Sequence, residues 1–102
     1  MEILEKKIAG YERGLLGQDG AANYRGIIAV HSTALGPALG GTRLWRYSDD
    51  AEALTDALRL SRGMTYKNAL AGLPLGGGKS IILSPPEISD RESLFRAHGR
   101  FV

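Results

Sequence analysis

A long helix with a clear start and a clear stop is the feature that most constrains this fold. Asp49 is a favourable N-cap residue, and Glu52 three residues later completes a capping box at the helix start. Small and apolar residues then recur at helical spacing, which predicts a helix that reaches about Leu70. Gly72 and Pro74 follow and stop it. A helix of this length packs one face on an apolar surface that the rest of the chain must provide.

Strand-like segments on both sides of the helix predict what that surface is. Residues 25–33 are rich in β-branched and apolar side chains and are expected to form a buried strand. Residues 11–18 are expected to be extended, because the glycines spaced through them would each cost a helix roughly 1 kcal/mol. An Asp-Gly turn at 19–20 then joins the two strands as a hairpin. Residues 42–47 and 79–83 are predicted to be two further strands.

The remaining segments complete the predicted organisation. Residues 1–9 are expected to form a short helix with its apolar side chains on one side, and residues 34–41 are expected to form a loop. Ser89 and Glu92 form a second capping box, which opens a helix whose apolar stripe runs to the last residue. No glycine or proline stop signal follows this helix. We therefore expect the chain to be a fragment of a longer protein.

The length of 102 residues supports one domain, and the predicted elements make it an α/β domain over residues 1–102, a mixed sheet with flanking helices. The net charge of +2 and the scattered basic residues do not fit a nucleic-acid-binding protein. No apolar run approaches the ~20 residues of a membrane span. The chain has no cysteine, which excludes disulfides and thiolate metal sites, and no metal is expected. A cytoplasmic location is the default expectation for such a chain.

An unusual charge distribution points to a ligand. Residues 57–86 contain no Asp or Glu, although they include Arg59, Arg62, Lys67 and Lys79. The two arginines are explained by a solvated helix face, but no residue one helical turn from Lys67 carries an acid. Unpaired lysines among small and apolar residues indicate an anion site. Two ordinary alternatives stay open, a helix-end lysine that complements the helix dipole and a solvated lysine on a glycine turn.

The glycine-rich run at 76–80, Gly-Gly-Gly-Lys-Ser, invites comparison with a phosphate-binding loop. A Walker A loop requires glycine six positions before its lysine, where this chain has Leu73. The residues after Lys79 also resemble a strand, so no helix N-terminus is offered to a phosphate. No G-x-G-x-x-G segment for a dinucleotide occurs either, and His31 and His98 are interpreted as structural or surface residues.

Three segments together resemble a known family. They read Leu-Gly-Pro-Ala-Leu-Gly-Gly-Thr-Arg at 35–43, Arg-Gly-Met-Thr-Tyr-Lys-Asn at 62–68 and Leu-Pro-Leu-Gly-Gly-Gly-Lys at 73–79. In order and spacing they resemble the N-terminal domain of the glutamate/leucine/phenylalanine/valine dehydrogenases, most closely the leucine dehydrogenases among them. The resemblance implies the truncated N-terminal domain of an amino-acid dehydrogenase.

The resemblance also implies a role for individual residues. Lys67 matches the lysine that binds the substrate α-carboxylate, and Lys79 matches the catalytic lysine that helps activate water. Gly40 and Gly41 match backbone that borders the substrate, while Leu39 and Met64 match positions that line the side-chain pocket. A free lysine has a pKa of ~10.4, so the implied basic role of Lys79 requires burial and repulsion from Lys67 to lower that pKa.

Leu39 implies a preference among substrates. Glutamate-specific relatives carry a lysine at the matching position, which pairs with the side-chain carboxylate of the substrate. Leucine offers no such charge, and an unpaired carboxylate buried against it would cost several kcal/mol. The resemblance therefore implies an apolar or branched-chain amino acid as substrate.

The resemblance finally implies partners that this chain does not itself supply. NAD is the implied cofactor of the full-length parent, an amino acid or 2-oxo acid is the implied ligand, and a homo-oligomer is implied through this domain. The family's catalytic aspartate and nicotinamide-binding domain match no residue here. We therefore expect no amino-acid oxidation by this chain alone. A different hypothesis is a non-catalytic assembly or anion-binding module that keeps the fold.

Overall fold

The computed structural model describes residues 1–102 as a six-stranded sheet with two α-helices packed on it. The elements in chain order are β1 (Glu2–Lys6), β2 (Arg13–Asp19), β3 (Tyr24–Ser32), β4 (Ala38–Leu39), β5 (Thr42–Trp45), α1 (Asp50–Leu70), β6 (Gly76–Leu83) and α2 (Arg91–Phe101), with a short 3-10 turn at Gly20–Ala22 between β2 and β3. The predicted fold class, a mixed sheet with flanking helices, is confirmed.

The sheet combines antiparallel and parallel pairing. β1, β2, β3 and β6 are neighbours in that order and pair antiparallel. The predicted hairpin is confirmed, because β2 pairs with β3 from Arg13 opposite Val30 to Asp19 opposite Tyr24. β4 and β5 follow one another along the far edge of β6, and both run parallel to it. β6 therefore lies between the hairpin and the two short strands.

The long helix begins and ends where the sequence predicts. The Asp49 side chain accepts a hydrogen bond from the Glu52 backbone N–H at 2.8 Å, and α1 ends at Leu70. Gly72 follows with a φ of +72°, the left-handed conformation that favours glycine after a helix. The capping box is only half formed, because the Glu52 carboxylate accepts from the Ser48 hydroxyl instead of the Asp49 backbone.

The prediction of a helix over residues 1–9 is wrong. These residues include β1, which pairs with β2 from Glu2 opposite Gln18 to Lys6 opposite Gly14. Every residue of β1 is exposed, so no core contact selects its conformation. Hydrogen bonds to the free edge of β2 make this segment a strand. The sequence of residues 1–9 alone does not show that such an edge is available.

Three predicted boundaries also need correction. The N-cap of α2 is Asp90 and not Ser89, since the Asp90 carboxylate accepts the hydrogen bond from the Ser93 backbone. β6 begins at Gly76, three residues before the predicted strand. The predicted loop at 34–41 contains the two-residue strand β4. Glycine and short-strand segments have weak local preferences, so pairing across the sheet sets the limits of β4 and β6.

The two helices cover opposite faces of the sheet. We call these the α1 face and the α2 face. Ile81 packs against α1 and Ile82 packs against α2, as the alternation of side chains along a strand requires. The core of the α1 face consists of Ile27, Ala29, Ala53, Ala57 and Ile81. The core of the α2 face consists of Tyr24, Ile82, Leu94, Ala97 and Phe101. Neither helix has both the length and the apolar character that crossing a lipid bilayer demands.

Candidate functional site

The Lys79 side chain lies on the α1 face of β6, because it shares that face with Ile81 two residues later. Gly41 lies next to it, and a methyl group at Gly41 would be 3.6 Å from the Lys79 Nζ. The Ser80 backbone N–H donates to the Gly41 carbonyl at 3.3 Å, which holds the two segments together. Lys79 is half-buried in this setting.

Gly77, the middle one of the three glycines before Lys79, allows α1 to approach the sheet closely. A Cβ atom at Gly77 would lie 2.2 Å from the Thr65 backbone nitrogen and 2.4 Å from the Ser61 carbonyl oxygen. Only a residue without a side chain fits such a contact. The buried Asn68 side chain adds a hydrogen bond, donating from Nδ2 to the Gly76 carbonyl at 2.7 Å. The turns of α1 from Ser61 to Asn68 therefore lie directly over the start of β6.

Lys67 and Met64 belong to the same turns of α1. Lys67 is exposed and Met64 is half-buried. Lys67 lies three helical turns after Asp56 and on the same stripe of the helix. Asp56 faces β5, where it contacts Arg43 at 3.6 Å. The Lys67 stripe is therefore directed toward the β4–β5 side of α1, and Lys67 and Lys79 lie on the same side of the sheet.

Neither of these lysines has a partner within the chain. The six ion pairs all use arginine, and no side-chain hydrogen bond involves Lys67 or Lys79. No carboxylate neutralises either ammonium group. Two positive charges without counter-ions on one face make this region suited to a negatively charged ligand.

Leu39 and Gly40 lie at the edge of the same region, with different surroundings. Leu39 is opposite Gly77 in the parallel β4–β6 pair, so its side chain is on the α1 face, and it is 47% exposed. Gly40 is required by packing, because a Cβ atom there would lie 1.5 Å from the Gly78 carbonyl oxygen. Gly41, which has open space toward Lys79, is the glycine of the pair that a ligand can approach.

A polar cluster connects β5 to α1 beside this region. Tyr47 donates from its hydroxyl to the Asp56 carboxylate, which also accepts from Arg59 at 2.7 Å. Burial, together with the hydrogen bond to Asp56, raises the pKa of Tyr47 to about 12. For Asp56, burial acts to raise the pKa, but the hydrogen bonds from Tyr47 and Arg59 outweigh it and lower the pKa. Asp56 is therefore a fixed anion that anchors to the helix both β5, through Arg43, and the segment after it, through Tyr47.

Sequence reasoning missed a buried chain of hydrogen bonds on the α2 face. The Tyr24 hydroxyl lies 2.6 Å from His98 Nδ1, His98 Nε2 lies 3.1 Å from Ser80 Oγ, and Ser80 Oγ lies 2.7 Å from Thr42 Oγ1. Burial lowers the pKa of His98 and raises the pKa of Tyr24, so both groups are neutral near pH 7. These partners are 74, 18 and 38 residues apart. No local pattern in the sequence signals the contact.

The chain contains no group of three or more His, Asp or Glu side chains arranged to hold a metal ion. The residues singled out in the sequence that lie on the α1 face are Lys67, Lys79, Leu39 and Met64, with Gly41 beside the Lys79 ammonium. A mixed sheet under a long helix, with two lysines that have no acidic partner, makes this an α/β domain whose α1 face carries uncompensated positive charge.

The sequence assigns this domain to a family. Residues 12–102 match the Glu/Leu/Phe/Val dehydrogenase dimerisation domain. The chain belongs to this family. The predicted resemblance is thereby confirmed.

Individual relatives are amino-acid dehydrogenases. The leucine dehydrogenase of Geobacillus stearothermophilus is 59% identical over 92 residues, which cover 90% of this chain and 25% of that protein. The valine dehydrogenase of Streptomyces albus is 57% identical over 93 residues, covering 91% of this chain and 26% of that protein. The crystal structure of L-tryptophan dehydrogenase from Nostoc punctiforme superimposes with a TM-score of 0.84 at 50% identity, covering 90% of this chain and 27% of that one. The chain thus spans about a quarter of the length of these relatives.

Proposed function

We propose that this chain is the substrate half-site and dimerisation domain of an NAD-dependent L-amino-acid dehydrogenase. The reaction is the reversible oxidative deamination of an apolar or branched-chain amino acid to a 2-oxo acid and ammonium. One observation carries the proposal. Two ammonium groups without counter-ions, Lys67 and Lys79, share the α1 face of a domain whose relatives are amino-acid dehydrogenases.

In this proposal the two lysines have different tasks. Lys67 is exposed at the end of α1 and binds the α-carboxylate of the amino acid as a mobile point charge. Lys79 is half-buried on a strand and held beside the Gly41 backbone. A lysine fixed on a rigid strand is suited to proton transfer with the reacting centre, and we assign it the catalytic role.

The proposed preference for an apolar substrate rests on the side chains beside the lysines. Leu39 and Met64 offer no charge to a second carboxylate. Glutamate would have to bury that carboxylate without a partner, at a cost of several kcal/mol. Discrimination among leucine, valine and isoleucine would be weaker, since one methylene contributes only ~1–3 kcal/mol.

The residues of this chain do not provide a dinucleotide site, because no G-x-G-x-x-G segment follows any of its strands. We therefore assign NAD, the hydride acceptor, to a separate domain of the complete enzyme. The chain alone is expected to show no NAD reduction with leucine. Leucine-dependent NADH formation by the purified chain would contradict the assignment of NAD to a separate domain.

A chimera tests the proposed function. Residues 12–102 replace the matching segment of the Geobacillus stearothermophilus leucine dehydrogenase, and NADH formation is followed with leucine, valine and glutamate. We expect an active enzyme that prefers leucine or valine to glutamate by at least about 100-fold in kcat/KM. Lys79→Ala should lower kcat by about 100-fold or more, and Lys67→Ala should act mainly by raising KM.

Arg96→Ala is the matched control, because it also removes one positive charge but from an exposed pair on α2. It should leave both constants within about twofold. A Lys79→Ala chimera with a near-normal rate would overturn the catalytic assignment. That result would favour the alternative of a non-catalytic assembly or anion-binding module.

A further inference from the structure

The hydrogen-bond chain on the α2 face reaches the strand that carries Lys79. Ser80 follows Lys79 in β6 and points to the opposite face, where its hydroxyl contacts both His98 and Thr42. The Ser80 backbone N–H also donates to the Gly41 carbonyl at 3.3 Å. Ser80 is therefore hydrogen-bonded to the Gly41–Thr42 segment twice, once through its backbone and once through its side chain. We call these two hydrogen bonds the Ser80 clasp.

The Ser80 clasp sets the distance between Gly41 and Lys79 on the α1 face. Gly41 and Thr42 are adjacent, and Lys79 and Ser80 are adjacent, so fixing the second member of each pair also fixes the first. In the proposed function, the space between the Gly41 α-carbon and the Lys79 ammonium is where the substrate approaches the catalytic lysine. A methyl group placed at Gly41 already comes within 3.6 Å of the Lys79 Nζ.

The tautomer of His98 sets which atom donates in each hydrogen bond from Tyr24 to Thr42. An imidazole that is neutral has one donor and one acceptor nitrogen. If the Tyr24 hydroxyl donates to His98 Nδ1, then Nε2–H must donate to Ser80, and the Ser80 hydroxyl is free to donate to Thr42. With the opposite tautomer every bond reverses together. In either direction His98 fixes the Ser80 hydroxyl, and no buried polar side-chain atom is left without a partner.

We propose that His98 is a positioning residue that acts through Ser80 to hold Gly41 and Thr42 at a fixed separation from Lys79. The proposal rests on the proposed function only for its catalytic consequence. Its structural content, the coupling of a histidine on α2 to the β5–β6 contact, is independent of any reaction.

Hydrogen exchange on the 102-residue chain tests the structural content. Ser80→Ala keeps the backbone donor but removes the hydroxyl. The amide of residue 80 should then exchange at least about tenfold faster relative to the amides of the β2–β3 hairpin. Ser80→Thr restores a hydroxyl and should restore the protection. Unchanged protection in both Ser80→Ala and His98→Leu would overturn the proposal.

Kinetics in the leucine dehydrogenase chimera test the catalytic consequence. His98→Leu removes the bond to Ser80, whereas His98→Gln keeps a side-chain amide that can donate to it. We expect His98→Leu and Ser80→Ala to lower kcat about tenfold with KM within about twofold, and His98→Gln and Ser80→Thr to recover most of the loss.

Leu94→Ala serves as the control for stability alone, because Leu94 is fully buried in the same cluster but takes no part in the hydrogen-bond chain. It should lower stability and leave kcat nearly unchanged. An equal loss of kcat in Leu94→Ala would overturn the positioning role. If the unmodified chimera is inactive, the proposed function fails, while hydrogen exchange still decides the coupling of His98 to the strand pair.

Discussion

The two faces of the sheet differ in whether their key polar side chains have partners within the chain. On the α2 face, Tyr24, His98 and Ser80 are neutral, and each is satisfied by the next. On the α1 face, Lys67 and Lys79 carry charges that no side chain of the protein neutralises. The polar groups of the α2 face therefore satisfy one another, whereas the α1 face leaves two lysines without a partner, which is the observation behind the proposed ligand.

This contrast explains how one strand serves both purposes. Alternation along β6 sends Gly77 and Lys79 toward α1 and Ser80 and Ile82 toward α2. Lys79 of the candidate site and Ser80 of the buried hydrogen-bond chain are thus adjacent in the sequence. Substitutions that alter one face and leave the other unchanged test this difference between the faces most directly.

Gly77→Ala should have the largest effect. The added methyl would meet the α1 backbone at 2.2 Å, and backbone atoms cannot rotate away as a side chain does. We expect a loss of about 3 kcal/mol or more in the free energy of unfolding, measured by urea denaturation. Gly63→Ala is the control, since nothing lies within 4 Å of the added methyl, and helix propensity should make it slightly stabilising. Equal stabilities would mean that α1 does not pack on the glycine run.

Asn68→Ala should have the next largest effect. It removes a buried hydrogen bond and leaves the Gly76 carbonyl without that donor. The expected loss is about 1–3 kcal/mol in the free energy of unfolding. Thr55→Ala provides a matched comparison on the exposed side of α1, where its hydroxyl bonds only within the helix, and it should change stability by less than about 0.5 kcal/mol. A neutral Asn68→Ala would show that helix and strand are held by the glycine contact alone.

Acidification should weaken the α2 face through His98. Burial lowers the pKa of His98 in the folded chain, so the unfolded chain binds a proton more readily. The stability contribution of neutral His98 is complete above the unfolded pKa of about 6.5 and declines as pH falls below it, by at most about 1.4 kcal/mol per pH unit. Urea denaturation of the wild type and of His98→Gln between pH 7 and pH 5.5 measures it. A pH slope that is the same in both proteins would assign the effect to another group.

Gly41→Ala should have the smallest effect on stability. Its added methyl would make an ordinary contact at 3.6 Å with the Lys79 Nζ, and the free energy of unfolding should change by less than about 1 kcal/mol. The same methyl occupies the approach to the ammonium, so in the chimera KM for leucine should rise about tenfold. Gly40→Ala differs sharply, because it collides with the Gly78 carbonyl and should unfold the segment. A normal KM in Gly41→Ala would place the ligand elsewhere.

The parts of the fold that sequence predicted are those with local signals. Asp49 and Gly72 mark α1 because capping and left-handed backbone act within a few residues. The central strand β3 follows from its β-branched composition. The helix prediction for residues 1–9 was wrong because an exposed edge strand takes its conformation from the strand beside it. The absence of acidic residues around them drew attention to Lys67 and Lys79, and the family resemblance implied their roles; the family is confirmed, and the roles stay predictions.

The remaining features depend on contacts between distant residues. The first glycines of β6 look like a loop in sequence; pairing with β3 and β4 makes them a strand, and the approach of the α1 backbone requires glycine at position 77. The Tyr24–His98–Ser80 chain likewise joins three elements whose sequences give no sign of one another. Histidine in an apolar helix stripe is compatible with a surface, a core or a site, and tertiary packing decides among them.

The opposite orientations of Lys79 and Ser80 make the length of the glycine run as important as its composition. Deleting any one of the three glycines at 76–78 would shift the following residues by one position relative to β3 and β5. The ammonium would then be driven into the layer of Ile82 and Phe101, at a cost of several kcal/mol, and a hydroxyl would take its place under α1. The number of residues between α1 and Lys79 is therefore constrained as strictly as the absence of a side chain at Gly77.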